Sequence, residues 1–265
     1  MLYSTQGTII RNVEQFSNFT PKCDLSKYPL PHGIKYNPQK WNGTDKDKLS
    51  NNYALQYSHN CYSYLLNNID QSKIRECAEL LKKEKIDRLN NEDSQEIEDI
   101  CSDLKAIPGN YYNSLPEYEK RHIRELVKNK SDNYKNFICP IDNFSDIDYE
   151  DNLENICHNF KTRILCDNPE IEIVDFDTPC KKNYYKGAIT IDNEPDKEDG
   201  DDVDFHFYRQ NLDGTYSHKS GHTKAINEED NKMICEPGNL HNTTDTRYNS
   251  FCTYMCVPNK KTNAL

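Results

Sequence analysis

Apolar residues recur at helical spacing from residue 62 to residue 107. Leu65, Leu66 and Ile69 lead into Ile74, Cys77, Leu80 and Leu81, while Glu79, Lys82, Lys83 and Glu84 supply a wet face. Asn90-Asn91 interrupts the run. A second helix is expected from Ser94, with Ile97, Ile100, Cys101 and Leu104 on one side, ending at Pro108-Gly109. Residues 115–130 read as a third helix on Ile123, Leu126 and Val127. Residues 150–165 read as a fourth, on Leu153, Ile156, Cys157 and Phe160. Near residue 170 the period shortens to two. Strands are expected at 171–176, at 184–192 (YYKGAITID), at 203–210 (VDFHFYRQ), at 215–219 (TYSHK) and at 251–258 (FCTYMCVP), with Asn211-Leu212-Asp213-Gly214 as a hairpin turn. Helices first and antiparallel strands second make an α+β chain.

Residues 1–50 have a different texture. Pro21, Pro29, Pro31 and Pro38 exclude a continuous helix, so they read as an extended arm packed on the body, with Trp41 as an anchor. Residues 51–265 read as a single α+β domain with a helical insertion at about 85–168.

Composition narrows the function classes. A net charge of −11, from 33 basic and 44 acidic residues, argues against a phosphate-binding surface, so no nucleic-acid partner is expected. No apolar run reaches the roughly 18 residues that a spanning helix needs, so no transmembrane segment is expected. The N-terminus MLYSTQGTIIRNVEQF has no basic start followed by an apolar core, so no secretory signal is expected. The compartment stays open, and virion and host cytoplasm both fit. Five Asn-x-Ser/Thr sequons arise readily in so Asn-rich a chain and carry little weight. Eleven cysteines, an odd number, are spread along the chain.

Chemistry-bearing residues gather in two places. Cys61, in Ser58-His59-Asn60-Cys61-Tyr62-Ser63-Tyr64, sits where a loop meets a helix. There the positive end of the helix dipole is expected to favour the thiolate and lower its pKa, and unpaired backbone N–H groups can hold an oxyanion. His206 lies mid-strand. Alternation puts Phe205, Phe207 and Arg209 on one face, and Asp204, His206 and Tyr208 on the other. The hairpin turn brings His218 beside that strand, so the two imidazoles can meet. A thiol needs a base to take its proton, and the base needs a partner to fix its tautomer. Arg209 is read first as structural, reaching an acid such as Asp213, with binding of a substrate carboxylate as the alternative. If the other ten cysteines pair or sit buried, Cys61 is the one expected to stay free.

A C-terminal set, Cys235, His241, Cys252 and Cys256, raises the alternative of a zinc module. In an extended strand Cys252 and Cys256 share a face about 13 Å apart, too far for one tetrahedral ion. A disulfide from either to Cys235 or Cys180 fits as well, and no metal or cofactor is expected. The acidic run 196–204 lacks the spacing of an EF-hand and reads as a solvated loop.

The order of a Cys at a helix start, a strand, a His-bearing strand and a hairpin to a second His resembles the papain-like NlpC/P60 cell-wall peptidases. Their D-C-S-G-F is matched by Asn60-Cys61-Tyr62-Ser63-Tyr64, their H-V-G-I-Y by His206-Phe207-Tyr208, and their second His by His218. Asn60 stands where that family has an acid, and the stretch between Cys61 and His206 is much longer. The chain also resembles a family of bacterial and large-DNA-virus proteins that share N-C-Y-x-Y, D-x-H-F-Y-R-Q-x-x-D-G-x-W-S-H-K-x-G and F-C-x-Y-x-C-V-P, with Tyr216 here in place of Trp. The first resemblance implies a papain-like core with a Cys-bearing helix and a C-terminal antiparallel sheet. It also implies a cysteine hydrolase acting on an amide or isopeptide bond of a peptide or protein substrate. Cys61 would be the nucleophile, His206 the general base and His218 the orienting residue. Tyr57 or Tyr53 would serve the oxyanion, with Tyr216 on the substrate side. The alternative is a non-catalytic structural or binding protein of the same fold, such as a virion component. Eighteen tyrosines suit such a protein-contact surface.

Overall fold

The computed structural model describes residues 23–24, 33–44, 50–83, 99–129, 139, 152–192, 203–229, 231–242 and 248–259. It is α+β, as the change of period predicts. The helices are α1 (Asn51–Ser58), α2 (Cys61–Leu65), α3 (Gln71–Lys83), α4 (Asn110–Ser114), α5 (Glu117–Lys128) and α6 (Leu153–Asp167). The strands are β1 (Glu172–Val174), β2 (Tyr184–Asp192), β3 (Asp204–Gln210), β4 (Tyr216–His218), β5 (Glu228–Glu229), β6 (Lys232–Met233) and β7 (Ser250–Pro258). Five of them form one antiparallel sheet in the order β1-β7-β2-β3-β4, and β5 and β6 form a small hairpin.

The helical reading of 62–107 needs correction at its start. The first turns are two short helices, α1 and α2, and the chain then breaks before α3. Asn67 adopts a left-handed φ of 49°, and Asp70 caps the new start by accepting from Ser72 N–H at 2.8 Å. Periodicity runs across this corner because Leu65 and Ile74 both face inward, although into different clusters. The expected break at Asn90-Asn91 and the start at Ser94 lie outside the described residues. Residues 99–102 are helical and end before Pro108. Gly109, at φ 91°, opens α4 instead of closing a helix.

β2 occupies the middle of the sheet and is buried on both faces. Tyr185, Ile189 and Ile191 join Leu65, Phe160, Ile164, Leu165, Phe205 and Phe207 beneath the helices, while Ala188 joins Tyr208, Tyr216 and Tyr254 on the opposite face. α6 belongs to the 85–168 stretch read as an insertion, yet it supplies Phe160, Ile164 and Leu165 to the main core and is an integral layer. Gly187 lets α2 lie close on the sheet, because a Cβ there would meet Leu65 Cδ1 at 2.4 Å. In the arm, Trp41 is buried against Tyr64, ring centroids 4.9 Å apart, and Ile34 bridges to Asn211.

Ten cysteines pair: 23–235, 77–101, 139–166, 157–252 and 180–256. Cys61 alone is free. Cys252 does not share a face with Cys256 as simple alternation requires. The register of β7 on β2 steps from Ile189↔Thr253 to Thr190↔Phe251, leaving Cys252 as a bulge residue turned to the helix side and Cys157. Disulfides therefore occupy three of the four members of the zinc set. Among the described residues no helix is long and apolar enough to cross a membrane.

Candidate functional site

Asn60 builds the corner that carries Cys61. Its Oδ1 accepts the Ser63 N–H at 3.2 Å, which caps α2 and leaves Cys61 as the first helical residue; its Nδ2 donates to the Ala106 carbonyl. The thiol then meets the edge of the sheet. Successive residues of β3 send their ladder groups to alternate sides. The Arg209 carbonyl meets Ser217 of β4. The Phe207 N–H and Phe205 carbonyl, two and four residues earlier, therefore look the same way. The pairing of β4 with β3 ends at Tyr208↔His218, and Cys61 occupies the edge beyond it. Its Sγ lies 3.9 Å from the Phe205 carbonyl, and the Phe207 and Tyr62 N–H groups face it.

The thiol thus touches the backbone on both sides of His206. The imidazole itself leaves from the other face, the one carrying Tyr208. Its Nε2 is 2.6 Å from His218 Nδ1, the two rings perpendicular. Tyr248 stacks on the His206 ring at 4.6 Å between centroids and donates from its hydroxyl to Asp204 Oδ2 at 3.1 Å. His218 Nε2 lies 3.9 Å from Glu229 Oε2. His206 Nδ1 is buried without a hydrogen-bond partner, so no hydrogen bond joins imidazole and thiol in this state.

These contacts admit two tautomer pairs, one of which leaves His206 Nδ1 as an acceptor. With one proton on each Nε2, His206 donates to His218 Nδ1, His218 Nε2–H is turned to the Glu229 carboxylate, and His206 Nδ1 keeps a lone pair. Burial pushes both imidazoles down, His218 to about 4 and His206 well below its usual range, with the neighbouring His218 and Lys219 adding to the latter. The expected lowering of the Cys61 pKa does not occur. Burial, reinforced by Asp204, pushes the thiol up to about 12, because desolvation outweighs the Phe207 and Tyr62 N–H groups and Lys219 that pull it down. Both members are therefore neutral, a thiol against the backbone of β3 and an imidazole that leaves the same strand from its other face.

The structure sets Cys61 against the backbone of β3 around His206 and pairs His206 with His218 of β4, while the three tyrosines belong to other clusters than Cys61. Tyr53 and Tyr57 pack at a tilt, centroids 4.9 Å apart, in the cluster around Trp41, and Tyr57 stacks on His222. Tyr216 is fully buried among Ala188, Tyr208 and Tyr254. Arg209 does not reach Asp213; it donates to the Tyr64 carbonyl at 3.0 Å and lies 3.9 Å over the Tyr64 ring. Sequence reasoning missed Glu229 and Tyr248, and it noted Lys219 on the hairpin without assigning it a role. Glu229 sits on a two-residue strand with no periodicity to read. Tyr248 is remote in sequence. Lys219 stood in plain view beside His218, but nothing local marks it as buried. A cavity of about 560 Å³ opens on another side of α2, lined by residues including Tyr62, Asp70, Lys73, Tyr111, Asp167 and Asn168; Cys61, His206 and His218 do not line it. Comparison with protein-family models, curated proteins and solved structures found no match for this chain.

Proposed function

We propose that the protein is a papain-like cysteine hydrolase acting on an amide or isopeptide bond in a peptide or protein, with Cys61, His206 and His218 as its machinery and Glu229 as a fourth, acidic member. The observation that carries this reading is the buried, unpartnered Nδ1 of His206, whose other nitrogen is held by His218, on a strand whose backbone meets the one free thiol among eleven cysteines. The NlpC/P60 resemblance supports it through the same order of Cys, His and His.

In the reaction His206 Nδ1 takes the Cys61 proton as sulfur attacks the carbonyl carbon. The imidazolium forms with its Nε2–H already directed at His218, and the proton on His218 Nε2 faces Glu229. His206 then returns the proton to the leaving nitrogen as the C–N bond breaks, which leaves a thioester. Water attacks that thioester, His206 takes its proton, and the acid and the thiol are released. The Tyr62 and Phe207 N–H groups face the sulfur and favour its ionised form.

A peptidyl vinyl sulfone tests the reading. Labelling on Cys61 at pH 7–8, lost in Cys61→Ser and reduced at least tenfold in His206→Gln, supports it. Labelling that ignores His206, or a Cys61 that stays unlabelled while the folded protein is intact, overturns it in favour of a binding protein that retains this fold.

A further inference from the structure

Lys219 is fully buried one residue beyond His218, and its ammonium donates to three carbonyls: Gln56 and His59 at 2.6 Å, and Gly221 at 2.5 Å. Gln56 lies in the last turn of α1, and His59 is its C-cap, so two of the three are helix-end carbonyls with no intrahelical donor. His59 is also two residues before Cys61. One side chain therefore ties the strand of His218 to the corner that presents the thiol.

We infer that Lys219 is a positioning residue of the hydrolase. Its clamp on Gln56, His59 and Gly221 fixes Cys61 against the His206–His218 strand, and its fixed positive charge favours the thiolate. This rests on the reading proposed above. A buried ammonium is costly unless its donors are met. Here the three carbonyls meet them, and the charge is left close enough to act on both reacting groups. Lys219 favours ionised Cys61 and keeps resting His206 neutral, the form that can accept the thiol's proton, while opposing the imidazolium that then forms. Cys61 is also faced by Asp204 and Tyr208 of β3, with His206 between them, and by Tyr248; among these Asp204 opposes ionisation.

The protein contains its own control. Lys186 is equally buried and donates to three carbonyls, those of Asp175, Phe176 and Thr178, on the far side of the sheet. Loss of either clamp costs stability, whereas only loss of Lys219 bears on the thiol.

The test is the pH dependence of Cys61 alkylation by iodoacetamide in the full-length protein, read by mass spectrometry. Lys219→Gln, which keeps two donors without the charge, is expected to displace the profile upward by about one pH unit, hence about tenfold slower alkylation at a given pH. Lys186→Gln is expected to leave the profile in place. Lys219→Arg, which keeps the charge and is the second variant should the Gln protein not fold, is expected to hold the wild-type profile. Equal effects of Lys219→Gln and Lys186→Gln, or a displaced profile in Lys219→Arg, overturn the inference. The two readings fail separately. If His206→Gln leaves alkylation unchanged, the hydrolase reading falls. If His206→Gln slows it but Lys219→Gln does no more than Lys186→Gln, only the role of Lys219 falls.

Discussion

His206 Nε2 and His218 Nδ1 face each other across 2.6 Å, so a single proton lies between them and only one of the rings can be an imidazolium at a time. Burial already disfavours that charge on either ring.

This gives the fold an acid limit. His218 and His59 are held down to about 4, and His206 well below the ordinary 6.5. As pH falls through 6.5 the unfolded chain takes up protons that the folded protein refuses, so stability is full above 6.5 and is lost on the way to about 4. For His218 and for His59 a shift of this size is worth about 3 kcal/mol each. Asp167, raised to about 6 mainly by burial, works the other way and gains the fold stability as pH drops from 6 towards 3.8. Three groups outweigh one, so urea midpoints are expected to fall between pH 6.5 and 4, and His218→Gln to flatten part of that slope. Midpoints that rise over this range would refute the assignment.

Cys61 should be countable. Under denaturing, non-reducing conditions iodoacetamide is expected to add one carbamidomethyl group per chain, on Cys61, because the other ten cysteines are paired. In the native protein the same thiol, pushed up to about 12 by burial, is expected to react slowly at neutral pH and faster with each step toward alkaline pH. Two or more labelled sites in the denatured, unreduced chain would contradict the pairing.

The hairpin was legible because strand alternation and a two-strand turn are local. Phe205 and Phe207 against His206, and His206 beside His218, follow from spacing alone. The free cysteine was legible by parity. What spacing cannot carry is register and burial. One bulge residue turns Cys252 away from the face of Cys256, and a left-handed Asn67 divides what periodicity presents as one helix. The pKa of Cys61 escapes sequence for a related reason: a helix start is visible locally, but the desolvation that overrules it comes from packing on β3, with Phe205 144 positions away.

Two cross-links hold β7 from opposite faces, Cys157–Cys252 to α6 and Cys180–Cys256 to the loop before β2. Each closes a long loop, so Cys180→Ser/Cys256→Ser is expected to lower stability by about 2–4 kcal/mol. β7 neighbours β2 and not β3, so the His206–His218 pair should survive the change. A thermal melt and the native Cys61 labelling rate check both halves. A large change in labelling without loss of stability would show that β7 is coupled to the site by a route other than β2.

Gly187 decides how closely α2 approaches the sheet. It pairs with Arg209 on β3, and a methyl group there would overlap Leu65 Cδ1, a side chain with no exposed surface. Gly187→Ala is therefore expected to cost about 1–3 kcal/mol through overpacking. Because Leu65 ends the helix that Cys61 begins, the same strain should lift the thiol from the β3 edge and change its alkylation rate. Leu65→Ala alone leaves a cavity and costs about 2–5 kcal/mol. In the double variant the added methyl group fills part of that space, so the combined loss should be smaller than the sum of the two single losses by at least 1 kcal/mol, the non-additivity expected of residues in contact. Strict additivity in a urea-denaturation cycle would mean that α2 does not rest on Gly187, and the placement of Cys61 would have to depend on the Asn60 cap and the Lys219 clamp instead.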